Sequence, residues 1–221
     1  MVDQHRRPTA PEREFWERRY AEPTYAYGTE PNSFLVEVAD RIPPGPVLCL
    51  GEGEGRNAVW LAGRGRAVTA VDASAAGLAK AEALARTRGV RVETIAADLA
   101  SFTIESGAWS GIVAIFAHLP PQLRHPVHRA VALGLASGGV FVLEAFTPRQ
   151  LALGTGGPQK PELLYTLDEL RADLAGLDLE IGREVERDVV EGLYHTGRAA
   201  VVQVLARRAG QAPKASPEIG A

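Results

Sequence analysis

The sequence predicts one doubly wound α/β domain built on a largely parallel sheet. Three observations point there. The chain has 221 residues, 46% of them hydrophobic, enough for one substantial core and short for two. Short β-branched or apolar runs alternate with helical stretches, the rhythm of right-handed βαβ crossovers. A glycine-rich turn follows the first of those runs.

In chain order, VLCLG is the first strand and RNAVWLAGR the helix after it. AVTAVD then leads into SAAGLAKAEALARTRG, and VRVETIAAD is the third strand. GIVAIF, the helical QLRHPVHRAVALGLASGG and VFVLEAF continue the alternation. The last third changes character. After a helix near Thr166 to Leu174, LDLEIGREVERDVV and RAAVVQVLARR read as an antiparallel hairpin that closes the sheet edge, joined by the link EGLYHTG. Residues 1–12 and 209–221 are polar, contain Pro or Gly and lack periodicity, so both ends are expected to be flexible around a domain at 13–208.

Composition excludes several function classes. With 24 basic and 27 acidic residues, net charge −3, the chain has no global attraction for nucleic acid or an anionic membrane. Cys49 is the only cysteine, which removes disulfides and Cys-rich zinc sites and favours a reducing, cytoplasmic setting. No apolar run reaches membrane-spanning length, and the first residues lack the apolar stretch of a secretory signal. The sequence assigns no oligomeric state.

The turn after the first strand reads Gly51-Glu52-Gly53-Glu54-Gly55-Arg56-Asn57. Its glycines allow positive φ and close approach of a ligand, and the helix start behind them offers unpaired N–H groups, the marks of a nucleotide-like cofactor site. Gly53-x-Gly55-x-x-Ala58 also satisfies a relaxed dinucleotide fingerprint. The two carboxylates argue against it, since each opposes a pyrophosphate by about 1 kcal/mol in water and roughly 4 in shielded surroundings at about 4 Å. Glu54 reads as a solvated loop carboxylate rather than a ligand. Asp72 ends the second strand, 21 residues after Gly51, where a carboxylate can accept from both ribose hydroxyls. Asp98-Leu99 ends the third, placing a second acid where it can meet an adenine amino group or cap a turn.

VLCLGEGEGRNA, VTAVDASAAGLAKA, AADL, GIVAIFAHLP and LASGGVFVLEAF in series resemble the class I methyltransferases that use S-adenosylmethionine (SAM), over about residues 15–207. WERRY, YAYGTEPN, FAHLP and EGLYHTG are similar to the bacterial group related to tellurite-resistance methyltransferases, which carry an ELH-type sequence before the last strand. The resemblance implies a Rossmann-like sheet in 3-2-1-4-5-7-6 order with strand seven antiparallel, and SAM across the C-terminal ends of the first strands. It implies cofactor contacts from Trp16, Tyr20, Tyr27 and Gly28 of an N-terminal lid, from Gly51, Glu52, Gly53, Gly55, Arg56 and Asn57, from Asp72, Ala73 and Ser74, from Asp98 and Leu99, and from Phe116. Two positions depart from the pattern, because Cys49 and Gly111 stand where many members have acids. Cys49 then reads as a small buried hydrophobe rather than a nucleophile.

Methyl transfer from a sulfonium is an in-line displacement by an activated donor, so the protein must mainly align the partners and exclude water. Alcohols and protonated amines need a base; thiolates, selenides and tellurium oxyanions do not. The candidate catalytic residues are His118 after the fourth strand, and Tyr194 and His195 in the late link, where the resemblance puts His195 near the substrate. His118 reads equally as a turn cap, and Arg198 as a strand-edge charge. Aromatic faces at Trp16, Tyr20 and Tyr27 suit a sulfonium, contributing about 0.5 to 2 kcal/mol, while Tyr25 reads as packing. His125 and His128 share a helical face, but Pro126 and the lack of a third ligand argue against a metal. Gly154-Thr155-Gly156-Gly157-Pro158 is predicted to be a mobile substrate-side loop. The resulting expectation is methylation of a small molecule, extending to soft nucleophiles such as tellurite, selenium compounds or thiols. The alternatives are a non-catalytic SAM-binding protein and a nicotinamide-dependent oxidoreductase.

Overall fold

A computed structural model describes residues 10–210, so most of both stretches expected to be flexible lies outside the described residues. Seven strands form one sheet in the order β3-β2-β1-β4-β5-β7-β6. They are β1 (Val47–Leu50), β2 (Val68–Asp72), β3 (Glu93–Ala96), β4 (Trp109–Ile115), β5 (Leu135–Phe146), β6 (Leu177–Glu191) and β7 (His195–Arg208). β1 pairs in parallel with β2 and β4, as do β2 with β3 and β4 with β5. β7 runs antiparallel to β5 and β6, the sheet order and orientation that the resemblance implies.

The central strands are apolar throughout because both faces of the sheet are covered, and alternate residues feed two cores. Leu48 and Leu50 of β1 join Ile112, Leu143 and Val204 under α5 (Pro121–Gly134) and α6 (Leu167–Asp173). Val47 and Cys49 point the other way, with Val113, Val142 and Leu205, against α2 (Ser33–Val38), α3 (Arg56–Gly63) and α4 (Ala75–Thr87). Cys49 is fully buried there and its thiol is pushed well up by burial, so it serves as an apolar side chain. Gly111 has a steric reason: a Cβ there would stand 2.7 Å from Ile42 Cγ2.

Local signals set the helix ends. Asn32, Ser74 and Thr166 cap α2, α4 and α6, the last through a reciprocal capping box with Glu169. Contrary to the expected interruption, α5 runs through Pro126, forgoing one backbone hydrogen bond. The hairpin link is also shorter than read. Only Gly192, Leu193 and Tyr194 form the turn, and Glu191 and His195 are already paired strand residues. Ahead of the sheet, α1 (Ala10–Ala21) lies against α4, and residues 24–32 cross the C-terminal edge of the strands.

Candidate active site

The glycine loop opens at the end of β1 with positive φ at Gly51, Gly53 and Gly55. Gly53 must lack a side chain, since a Cβ would lie 2.6 Å from the Tyr20 hydroxyl. Glu52 folds onto the start of α3 and accepts from the N–H groups of Asn57 (3.0 Å) and Ala58 (2.9 Å). Burial raises its carboxyl to about 7 against those hydrogen bonds. The helix terminus that a pyrophosphate would require is thus already occupied by a carboxylate, which separates this loop from a dinucleotide site.

Asp72 ends β2 half-buried, accepting from the N–H of Gly53 and of Ser74, each at 2.8 Å. Two backbone donors fix the carboxylate while each oxygen keeps a free lone pair for a ribose. Ala73 continues that edge, and buried Ser74 starts α4. Asp98 does what a turn residue does, accepting from Ala100 N–H at 2.8 Å, with half-buried Leu99 beside it packed on the first core.

The N-terminal segment closes over this edge. Glu54, read from sequence as solvated, is 4% exposed. It accepts from Ala26 N–H at 2.8 Å and pairs with Lys80 of α4 at 2.7 Å. The spacing of the loop could not show that residues 24–27 fold back onto it. Tyr25 donates to the Lys80 carbonyl, a packing contact. Trp16 stacks on Tyr20 with ring centroids 5.5 Å apart, and Tyr27 stands edge-on to Tyr20 at 6.4 Å. Tyr20 is buried and Trp16 is 38% exposed. Gly28 meets Gly192 of the hairpin turn backbone to backbone, and Leu193 N–H donates to Ala26 O at 3.0 Å. Tyr194 lies beside Tyr27 at 6.1 Å and under the Arg19 guanidinium at 3.9 Å, so it belongs to the closure between lid and hairpin.

The other wall comes from β4, β5 and β7. Phe116 is the one non-glycine residue with positive φ among those described (55°), held by its N–H to Glu144 O at 2.7 Å. Its ring lies 4.6 Å from Phe146 and 4.7 Å from His195. His195 also faces Tyr27 at 4.4 Å, so three aromatic rings surround the imidazole. His118 is differently employed. Its Nδ1–H donates to Leu163 O at 2.7 Å and its Nε2 receives Phe146 N–H at 3.5 Å. Burial lowers it to about 4, so it is a neutral, fully engaged wall residue rather than a base. The loop at 154–158 rests on this wall, where a Cβ on Gly156 would come 3.6 Å from His195 and Gly157 lies against Phe146. Gln150 and Arg198 O hold Thr155, and the Arg198 side chain pairs with Glu186 along the strand edge.

Residues 47–139 match the family model of a methyltransferase domain. This chain is a methyltransferase. A 2-heptyl-1-hydroxyquinolin-4(1H)-one methyltransferase of Mycobacteroides abscessus is 27% identical over 166 residues, 70% of this chain and 73% of that protein. Among solved structures, one described for the conversion of a disulfide bond into a thioacetal group during echinomycin biosynthesis has TM-score 0.74 at 20% identity. It covers 91% of this chain and 94% of its own. TehB from Haemophilus influenzae has TM-score 0.67 at 18% identity, over 89% of this chain and 67% of that one. At those identities the structural likeness is one of fold.

SAM fits the residues present. The methyltransferase offers a glycine turn with positive φ at Gly51, Gly53 and Gly55, a carboxylate at Asp72 with lone pairs to spare, and aromatic faces at Trp16 and Tyr20 that suit a sulfonium.

Behind His195 the methyltransferase has a buried charge cluster that the sequence reading missed. Glu144 of β5, fully buried, binds Asn32 Nδ2 at 2.9 Å, Gln203 Nε2 at 2.5 Å and Arg187. Glu191 accepts from Arg56 at 2.7 Å, Arg187 at 3.1 Å and Asn32 at 3.1 Å, and against its burial the neighbouring His195, then Arg56 and Arg187, bring its carboxyl down to about 2. Two carboxylates face two guanidiniums, so the cluster is neutral. Only two signals existed in the sequence: Glu144 and Gln203 interrupt otherwise apolar strands. A second cluster joins α5 to α6. Arg124 (2.8 Å), His128 (3.0 Å) and His125 all bind Asp173, so the two histidines serve one carboxylate. Among the described residues no group of three or more His, Cys, Asp or Glu is arranged to hold a metal, and no helix is long and apolar enough to cross a membrane.

Proposed function

We propose that this methyltransferase acts on a small planar molecule at an ionisable heteroatom seated against His195. The observation that carries the reading is the imidazole walled by Tyr27, Phe116 and Phe146 at 4.4 to 5.2 Å, beside the carboxylate of Glu191. Aromatic walls at that spacing suit a flat ring in offset or edge contact. A buried histidine in that enclosure suits removal of a proton from an O–H or S–H. The Mycobacteroides abscessus relative supports it, since its named acceptor is a hydroxylated quinolinone.

Asp72 would hold the ribose and Asp98 with Leu99 the adenine. Gly51, Gly53 and Gly55 would pass the amino-acid portion, and Trp16, Tyr20 and Tyr27 would cover the sulfonium. The donor supplies an activated methyl group whose C–S bond breaks with its electron pair going to sulfur. The residues of this chain align the acceptor, exclude water and take its proton at His195, while Phe116 and His118 shape the wall. A second reading, methylation of a soft nucleophile such as tellurite, a selenium compound or a thiol, is favoured by His118: both its ring nitrogens are engaged, leaving one histidine free for proton transfer.

The test has two parts. Titration calorimetry with SAM and S-adenosylhomocysteine on wild type and Asp72→Ala, with NADH as control, is expected to show binding that weakens by about 100-fold in the variant, the value of one or two charge-assisted hydrogen bonds. A panel of hydroxyquinolones, phenols, thiols, selenite and tellurite, read by S-adenosylhomocysteine release, then separates the acceptor classes. Turnover of a hydroxylated aromatic that collapses in His195→Ala at unchanged cofactor affinity supports the first reading; turnover of tellurite or selenite alone supports the second. Unchanged turnover in His195→Ala removes His195 from the chemistry.

A further inference from the structure

Glu191 closes β6 and His195 opens β7, and the two are paired across the hairpin. Each is 8% exposed. His195 Nδ1 is buried without a hydrogen-bond partner, and the oxygen that faces it is Glu191 Oε2 at 3.8 Å. A polar ring nitrogen at that depth is costly to leave unpaired, and catalytic hydrogen bonds are commonly long until ligands bind.

We propose that Glu191 is the positioning carboxylate of a His195–Glu191 dyad, holding the proton on Nδ1 so that Nε2 is free to take the proton of the acceptor. The proposal rests on the placement of the acceptor beside His195. The proton leaves the acceptor heteroatom for Nε2, the electron pair it leaves behind is the one that receives the methyl group, and the imidazolium returns the proton to solvent. Glu191 offsets the charge that His195 carries in between.

The surroundings fit that task. Arg56 of α3 and Arg187 of β6 bind the same carboxylate, Glu144 of β5 neutralises Arg187, and Tyr27 and His118 face the imidazole without a formal charge. With two carboxylates against two guanidiniums, proton uptake by His195 is the step that changes the charge of the cluster. Burial lowers the affinity of His195 for a proton, Arg56 and Arg187 lower it further, and Glu191 opposes all three. Arg56 follows Gly55 directly, so the carboxylate that would orient the imidazole is also fastened to the cofactor loop.

Nitrogen NMR of histidine-labelled protein in its S-adenosylhomocysteine complex tests this without an identified acceptor, with the His195 signals assigned by their loss in His195→Asn. The expected result is the Nδ1–H tautomer, and a titration midpoint lower by about one unit in Glu191→Gln, a roughly tenfold loss of proton affinity. An Nε2–H tautomer in the wild type overturns the proposal, as does a midpoint that moves by less than a few tenths. Should Glu191→Gln fail to fold, Glu191→Asp keeps the charge and withdraws it, and its midpoint is expected between those two; a midpoint equal to wild type overturns the dyad. Full acceptor turnover in His195→Asn would instead remove the acceptor placement while leaving the tautomer result standing, so the two failures are distinct.

Discussion

Replacing Gly192 with alanine tests whether the lid and the hairpin act as one closure over the cofactor. Gly192 has φ +69°, and a Cβ would sit 2.5 Å from Gly28 N, 2.6 Å from Ala26 O and 2.6 Å from the Tyr27 carbonyl carbon. All three are backbone atoms, so no side chain can turn away, and one chain must retreat by about an ångström to restore ordinary contact distances. The left-handed conformation costs alanine about 1–2 kcal/mol. Retreat also breaks the Leu193 N–H to Ala26 O bond, a further loss of about 0.5–1.5 kcal/mol. The left-handed strain is present whether or not the lid is docked; the docked lid itself loses that bond and about 1–3 kcal/mol of overpacking, roughly 2–3 kcal/mol together, a factor of about 30 to 150 in its closing equilibrium. Gly89→Ala is the control, because Gly89 has nearly the same φ (+67°) and nothing within 4 Å of the added methyl. By titration calorimetry S-adenosylhomocysteine is expected to bind Gly192→Ala at least about tenfold more weakly than Gly89→Ala, with faster tryptic cleavage at Arg18 and Arg19. Equal affinity and equal cleavage in the two variants would refute the coupled closure.

Removing the Tyr165 hydroxyl as Tyr165→Phe frees the segment after Phe116, since that oxygen receives Leu119 N–H (2.5 Å) and donates to Ala117 O (3.1 Å); acceptor turnover is expected to fall about tenfold while melting drops by only a few degrees. His118, lowered from 6.5 to about 4, contributes stability that is complete above 6.5 and is lost as pH falls through that window. Glu52, raised to about 7, runs the other way and regains stability from pH 7 down to 4.5, so it offsets the His118 loss in the wild type. His118→Gln exposes the Glu52 contribution and gains up to about 3 kcal/mol on wild type between pH 6.5 and 4; parallel melting profiles would count against this. Amide exchange in α1 is expected to be fast without ligand and slow with S-adenosylhomocysteine, whereas residues 25–28 stay protected in both; uniform protection of α1 in the free protein would count against a moving helix.

What the sequence made legible was local. The strand–helix alternation, the glycine loop and the 21-residue step to Asp72 depend on neighbours along the chain, and each reappears where the pattern put it. What it hid depends on residues that meet only in the fold. Asn32 reaches Glu144 across 112 positions and Glu191 across 159, and no periodicity encodes such a pairing. Glu54 was misread because a carboxylate between glycines is ordinarily solvated, while here a separate segment supplies its donors. Glu191 and His195 were read as a link because polar and glycine residues normally mark one; the strands run closer to the turn because Gly192 packs on Gly28 and lets the hairpin stay tight.

The fastenings of the N-terminal segment divide it into a part that can move and a part that cannot. Residues 24–28 are held through backbone groups, by buried Glu54, by Lys80 on Thr24 O and by the Gly28–Gly192 contact. Breaking the first or the last of these strands a buried polar group or a close backbone contact, which is expensive. α1 is held mainly by side chains. Of its aromatic residues only Tyr20 is buried, Phe15 and Trp16 keep 43% and 38% of their surface, and half-buried Glu17 reaches Ala75 and Ala76 N–H. Those contacts exchange for water at little cost. Entry of a cofactor past α1 is therefore cheaper than entry past residues 24–28. The aromatics proposed to cover the sulfonium thus sit on both parts: Tyr27 on the firmly held wall beside His195, Trp16 and Tyr20 on the more weakly held helix. An arrangement of that kind would let the proposed acceptor wall stay organised while the donor side exchanges, as a two-substrate transfer between turnovers demands.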